Sequence, residues 1–341
     1  MDATGAVTRA VAEFAAAYPG VGDEVCVGLS GGPDSLALMA CAVRAGLRVR
    51  ALVVDHGLQA GSDAVASEAV DAARRLGAEA TVLAVRVGSA GGMEAAARTA
   101  RYAALDGARA GRPVLLAHTA DDQAETVLLG LARGSGTRSI AGMRPWNPPW
   151  GRPLLGVRRT QTLAACAELG LRPHHDPHNR DPRFTRVRVR SEVLPLLDDV
   201  LHGGVVDALG RTAASLRDDN DALDALADDL YDRAVIGADC DIPGADIPGA
   251  DIPGVDISEL GAAVLDAAVL ADAPAALRTR AVRRWLLDVG ATEPTYRVIV
   301  AVDSLVCDPT SRAQVAIGGD PTARLVATRT GTRLHLTRHP R

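Results

Sequence analysis

The run Val25-Cys26-Val27-Gly28-Leu29 passes directly into Ser30-Gly31-Gly32-Pro33-Asp34-Ser35, and the apolar stretch Leu36-Ala37-Leu38-Met39-Ala40 follows at once. A β-branched run of strand length, two glycines that let the backbone turn sharply and a helix start make one continuous strand-loop-helix junction. Further strand-like segments at 49–54, 81–87 and 114–117 alternate with helical spacing at 35–44, 63–76 and 93–109. This alternation predicts an α/β fold, a parallel sheet flanked by helices. Chemistry in such sheets gathers at the carboxyl ends of strands, where this chain places Ser30, Asp55-His56-Gly57 and His118.

The junction itself has the look of a phosphate grip. Unpaired N–H groups at a helix start, reinforced by the helix dipole, face anions, and Gly31 and Gly32 allow close backbone approach. A Walker loop would need a lysine for the β- and γ-phosphates. All 37 basic residues here are arginine, which excludes that lysine together with any Schiff-base or general-base lysine. Asp34 instead offers a carboxylate to hold Mg²⁺ against the phosphates, because a hard cation prefers oxygen ligands. A glycine-rich turn without a ligand is the alternative on these six residues alone.

A chain of 341 residues has room for two domains. We place the first at 1–200 and the second, mostly helical and α+β, at 201–341. The five cysteines are scattered and include no C-x-x-C pair, so neither a disulfide framework nor a cysteine metal site is indicated. The N-terminal segment lacks the pattern of a cleaved leader, and no apolar run reaches membrane-spanning length. The expectation is a cytoplasmic protein without a membrane partner.

Charge is strongly blocked along the second half of the chain. Residues 133–190 hold 12 arginines against three acids, 191–272 hold 19 acids against three arginines, and 273–341 hold 11 arginines against five acids. The two basic blocks suit a nucleic-acid backbone. Within the acidic block, Leu209, Leu216, Leu223, Leu226 and Leu230 give an amphipathic helix with an exposed acidic side. Residues 241–255 repeat Asp-Ile-Pro-Gly three times, which forbids continuous helix and reads as a flexible surface loop spanning 239–256. A helix over 274–289 carries Arg278, Arg280, Arg283 and Arg284, another helix covers 296–306, and strands are expected at 315–317, 325–328 and 333–336.

Three clusters accompany the glycine loop. Val54 and Asp55 end the second strand, where main-chain groups can receive adenosine and the acid can stay near the sugar or metal. After the fourth strand comes His118-Thr119-Ala120-Asp121-Asp122-Gln123-Ala124-Glu125. A helix starting here brings Asp121, Asp122 and Glu125 to neighbouring positions, an array suited to Mg²⁺ and a cationic amine; an acidic first turn is also ordinary helix grammar. The third cluster, Glu94, Arg98, Arg101 and Tyr102, shares one helical face and can pair a carboxylate or phosphate, or form a surface salt-bridge ladder. The string His174-His175-Asp176-Pro177-His178 reads as a loop with exposed imidazoles rather than a metal site.

With these strings together, the chain resembles the bacterial tRNA(Ile)-lysidine synthetases of the PP-loop, or N-type ATP pyrophosphatase, family. The resemblance is carried by SGGPDS at 30–35, VDHGL at 54–58, EAAARTARY at 94–102 and HTADDQAETVLLGLARGSG at 118–136, and continues through 140–143, 152–155 and 176–190. Gln59 and Val187 depart from the family pattern, so contacts are not carried over to those positions. The resemblance implies ligation of free L-lysine to C2 of the wobble cytidine in an isoleucine tRNA with a CAU anticodon, using ATP with Mg²⁺ and releasing pyrophosphate and then AMP. It implies pyrophosphate binding by Ser30, Gly31, Gly32, Pro33 and Ser35, with Asp34 and Asp122 as Mg²⁺ ligands. Catalytic roles then fall to Asp34, His118, Asp121, Asp122 and Glu125, adenosine contacts to Val54 and Asp55, and substrate contacts to Arg98, Arg101 and Arg133. A homodimer is also compatible with it. The alternative is another PP-loop ATP pyrophosphatase acting on tRNA or a small acid.

Overall fold

The computed structural model describes residues 2–57, 61–88, 93–134, 136–174, 176, 181–236, 264–291, 294–319 and 323–340. The repeat loop expected at 239–256, together with Gln59, Ser135, His175, His178 and the Glu94 side chain, lies outside the described residues. Two compact units divide the chain, residues 1–217 and 218–341.

The first unit begins with α1 (Ala3–Ala17), β1 (Glu24–Gly28), α2 (Pro33–Arg44), β2 (Arg48–Asp55), α3 (Ser62–Arg75), β3 (Glu79–Ala84), α4 (Met93–Ala108), β4 (Val114–Leu115), α5 (Ala120–Ala132) and the short α6 (Thr137–Ile140). A hairpin of β5 (Trp146–Asn147) and β6 (Trp150–Gly151) follows. Then come α7 (Arg159–Glu168), α8 (Thr185–Arg188), a π-helical turn Val189–Val193, α9 (Leu194–Val200) and α10 (Val205–Ala234), inside which the unit boundary falls.

The strands form one sheet in the order β3-β2-β1-β4-β6-β5, parallel throughout except for the β5–β6 hairpin at its edge. The expected parallel sheet is present; the hairpin's two-residue strands are too short to show a period in the sequence. β1 is central and its Val25, Cys26 and Val27 are fully buried, as a strand covered on both faces requires. Side chains of α1, α2, α3 and α7 share the core against one face, and Leu105 and Tyr102 of α4 pack with Cys26 and Leu52 on the other. At Gly151 a Cβ would sit 2.7 Å from Leu115 Cδ2 and 2.8 Å from Phe14 Cζ, so any larger residue would have to push these two core side chains aside for β6 to pair with β4.

The second unit pairs β7 (Val235–Ile236), β8 (Val264–Asp266), β9 (Gln314–Gly319), β10 (Ala323–Thr330) and β11 (Arg333–Pro340) into an antiparallel sheet of order β7-β8-β11-β10-β9. α11 (Ala267–Ala271), α12 (Ala275–Asp288) and α13 (Tyr296–Cys307) share its core through Leu270, Trp285, Leu286 and Val302. Three of the four α12 arginines counted in the C-terminal basic block are paired with acids. Arg278 pairs with Asp303, Arg280 with Asp224 and Asn220, and Arg284 with Asp228 and Asp232. The acidic side of α10 is exposed as expected, at Asp218, Asp219, Asp221, Asp228, Asp229 and Asp232, while Asp224, Asp228 and Asp232 on it also pair with Arg280 and Arg284.

Candidate active site

The loop after β1 is braced before any ligand arrives. Gly31 adopts φ +78°, a left-handed conformation that glycine reaches without strain, and its carbonyl accepts a hydrogen bond of 2.9 Å from the His174 N–H. Ser30 Oγ lies 3.1 Å from Ser35 Oγ, which also accepts from the Ser30 N–H at 3.2 Å and donates to the Gly32 carbonyl at 3.0 Å. The helix starts at Pro33, two residues earlier than the expected Ser35, with Gly32 as N-cap. Proline is favoured at a first helical position because its missing N–H is not needed there. The earlier start carries Asp34 into the first turn.

On the neighbouring strand, Val54 and Asp55 close β2 beside β1. Asp55 Oδ1 accepts from the Gly57 N–H at 2.9 Å, and this backbone bond holds the carboxyl below its ordinary range. α5 begins with a reciprocal capping box: Asp122 Oδ2 accepts from both the N–H and the hydroxyl of Thr119 at 2.8 Å, while Thr119 Oγ1 faces the Asp122 N–H. Asp122 therefore serves the helix start and faces the site at the same time.

Three arginines organise the acids. Arg158 grips Asp121, closest at 3.1 Å, and the Arg159 N–H adds a bond of 2.7 Å to the same carboxylate. The three guanidinium nitrogens of Arg159 meet three different acids: Nε lies 3.3 Å from Asp34, Nη2 2.6 Å from Asp122 and Nη1 3.7 Å from Glu125. Arg190, carried on the π-helical turn, binds both oxygens of Glu125 at 2.7 and 3.1 Å. Thr162 Oγ1 donates a short hydrogen bond to Asp34. The glycine loop and the α5 carboxylates are thus joined through the first turn of α7.

Electrostatics divides these groups. Burial pushes the Asp34 and Glu125 carboxyls up, against the pull of Thr162 and Arg159 on the first and of Arg190 on the second. Burial opposes ionisation of Asp121 and Asp122 too, but Arg158 and Arg159 outweigh it, and both stay below the ordinary range. Burial, with the charges of Arg152, Arg101 and Arg98, drives His118 down to about 3 despite Asp122. Among the described residues its buried Nδ1 has no partner, nor do Nε of Arg101 and Nε of Arg152.

Arg98 lies with its guanidinium 4.9 Å from the Tyr102 ring centre and donates to the Tyr102 hydroxyl at 3.2 Å; Arg101 sits 5.7 Å from the same ring. Arg133 is not brought to the cluster. It caps the far end of the 13-residue α5, roughly 18 Å along the axis from Asp121. Sequence reasoning counted Arg158, Arg159 and Arg190 only within the basic block 133–190 suited to a nucleic-acid backbone, and gave Thr162 no role. The only hint was spacing: Arg159 and Thr162, three apart, share a helical face.

A PP-loop domain model matches residues 6–197, and a TilS substrate binding domain model matches 265–333. A tRNA(Ile)-lysidine synthase of Nocardia farcinica is 58% identical over 325 residues, covering 95% of this chain and 94% of that protein. The protein of that name from Rhodococcus erythropolis is 53% identical, covering 92% and 89%, and that of Mycobacterium tuberculosis is 53% identical, covering 100% of both chains. The chain belongs to the tRNA(Ile)-lysidine synthase family.

A PP-loop domain of this family uses ATP, and Ser30–Ser35 lies within the residues that the PP-loop model matches. The second model covers much of the lysidine synthase unit built on α11–α13 and β9–β10, and its name assigns that region to substrate. No described helix is long and apolar enough to cross a membrane.

Among the described residues no three His, Cys, Asp or Glu side chains converge as a metal site. Asp34 and Asp122 nevertheless converge on one guanidinium. Two carboxylate donors, completed by substrate phosphates and water, are the pattern Mg²⁺ favours, so the donor set fits that ion.

Proposed function

We propose that this protein is an ATP-dependent C–N ligase that joins the ε-amine of free L-lysine to C2 of the wobble cytidine in a CAU-anticodon isoleucine tRNA. The observation that carries the reading is near-full-length identity of 58% to a relative bearing the tRNA(Ile)-lysidine synthase name. In the first step the cytosine O2 attacks the α-phosphorus of ATP and pyrophosphate departs. In the second the lysine amine attacks C2 and AMP leaves with that oxygen. The protein supplies no covalent nucleophile, so catalysis rests on positioning and charge stabilisation.

Residues 1–200 carry the chemistry in this reading and 201–341 contact tRNA, in the cytoplasm where that tRNA resides. The braced loop of Ser30, Gly31, Gly32, Pro33 and Ser35 receives the pyrophosphate unit, and Val54 and Asp55 receive adenosine. Asp34 and Asp122 are the residues to hold Mg²⁺, which when bound neutralises phosphate charge. Asp121, fully engaged by Arg158 and the Arg159 N–H, anchors α7. Asp122 and Glu125 are the carboxylates to receive the lysine ammonium once Arg159 and Arg190 release them, with Arg98 and Arg101 offering positive charge to its carboxylate or to tRNA. His118, neutral and with an unpartnered nitrogen, orients substrate by hydrogen bonding.

The test is incubation of the protein with ATP, bulk tRNA and labelled lysine. Label in tRNA with matching AMP and pyrophosphate is expected. AMP formed without tRNA labelling would instead favour a PP-loop enzyme acting on a small acid.

A further inference from the structure

Arg159 takes up the very oxygens that the metal reading needs. Its Nε and Nη2 bind Asp34 and Asp122, and its third nitrogen faces Glu125, whose carboxylate is 1% exposed. The guanidinium is itself only 20% exposed. It cannot give up its proton to leave such a site; it has to move. A divalent ion that enters between Asp34 and Asp122 takes oxygens from Arg159, and the two cations repel at that range.

The local charge count also leaves one negative charge in excess. Four carboxylates, Asp34, Asp121, Asp122 and Glu125, face the three guanidiniums of Arg158, Arg159 and Arg190. Arg158 holds Asp121, and Arg190 holds Glu125 with a longer contact of 3.5 Å to Asp122, whereas among the described residues Arg159 alone spans the glycine loop and α5. An independent sign that the site is built to receive a ligand is His118, whose buried Nδ1 has no partner among the described residues while Asp122 lies near enough for its charge to act on the ring.

We infer that Arg159 is the resident counter-cation of the acidic site and exchanges with the divalent metal: Asp34 and Asp122 hold one or the other. The inference rests on the reading of Asp34 and Asp122 as metal ligands. Anionic phosphates arriving with the metal give the displaced guanidinium a new partner, so ATP and metal load together, and metal alone binds poorly. The same exchange keeps the acids assembled when no nucleotide is present, because removing Arg159 would leave four carboxylates against two guanidiniums. Arg159 is therefore a positioning residue that makes metal entry conditional on nucleotide.

The experiment is titration of the full chain with Mn²⁺ as probe, free ion being counted by electron paramagnetic resonance, without and with ATP. Wild type without ATP should bind Mn²⁺ weakly. Arg159→Gln should bind it about tenfold more tightly or better, since a buried competing charge has gone. Arg159→Lys, which keeps the charge, should behave as wild type. Wild-type affinity in Arg159→Gln overturns the exchange. So does an equal gain in Arg159→Lys, which would mark a loosened site rather than a removed charge. Undiminished ATP-dependent Mn²⁺ binding in Asp34→Asn defeats the metal-ligand reading itself. Loss of that binding with no gain in Arg159→Gln defeats only the exchange.

Discussion

Arg190 closes on Glu125 through two parallel hydrogen bonds, Nε to Oε1 at 2.7 Å and Nη2 to Oε2 at 3.1 Å, and the carboxylate beneath it is 1% exposed. The π-helical turn that carries Arg190 inserts an extra residue per turn just where the guanidinium must reach α5. A charge buried so deeply depends on its partner: breaking such a pair from one side costs more than removing both members, because the remaining ion is left dry.

Arg190→Met should accordingly destabilise the fold by about 2 kcal/mol, below the usual penalty of roughly 3–5 kcal/mol, because Arg190 is 32% exposed and Arg159 still faces Glu125. Adding Glu125→Gln should recover more than half of that loss. Urea unfolding of the two single variants and the double variant measures the coupling, and strict additivity would show that the pair is energetically unimportant.

Asp34→Ala should abolish tRNA-dependent pyrophosphate release while leaving the far-ultraviolet circular dichroism unchanged. The carboxylate sits in the first turn of α2 and contacts Arg159 and Thr162, so its loss disconnects the glycine loop from α5. Wild-type turnover in this variant would remove Asp34 from the chemistry.

The glycine loop, the parallel sheet and the α5 acids were legible in the sequence because each is local: a strand, a turn and a helix start written in consecutive residues. Arg159 and Arg190 were not, since their partners lie 37 and 65 positions away, and only the docking of α7 and the π-helical turn brings them close. Charge pairing between helices was not legible either. The arginines of α12 and the acids of α10 lie far apart in sequence, yet Arg280 and Asp224 meet at 2.8 Å. The β5–β6 hairpin was missed for a third reason, since two-residue strands are defined by their pairing partners alone.

Arg280→Ala should therefore lower the stability of the second unit and leave the salt dependence of tRNA binding almost unaltered. A free phosphate-contacting arginine contributes about one unit to the slope of log affinity against log salt. Arg280 is occupied by Asp224 and Asn220. Filter binding across a salt series distinguishes the cases: a slope reduced by a full unit would make Arg280 a tRNA contact.

Acid sensitivity should report Asp121. Its folded carboxyl titrates below the ordinary 3.8 despite burial, through Arg158 and the Arg159 N–H. A depressed acid stabilises the fold fully above the unfolded value and loses that contribution as pH falls through the folded one. Asp121→Asn should thus be less stable than wild type at pH 6, with the gap narrowing below about pH 4. A gap independent of pH would mean that the arginine contacts do not act through charge.

His118 makes the sharpest pH prediction because its ring is driven down to about 3, first by burial and then by Arg152, Arg101 and Arg98, with Asp122 opposing. A base whose folded value lies below its unfolded 6.5 disfavours protonation in the native state. Stability is then lost as pH falls from 6.5, because the unfolded chain takes up the proton first. Wild type should weaken across that interval more than His118→Gln does. The same neutrality means that this imidazole carries no titratable proton near pH 7, so the acid limb of the pH–rate profile should contain no inflection near 6.5 that vanishes in His118→Gln. Turnover in that variant should fall at every pH instead, since what is lost is a hydrogen bond from ring to substrate. A limb near 6.5 that disappears with the imidazole would make His118 a general base and overturn its assignment as a neutral orienting group.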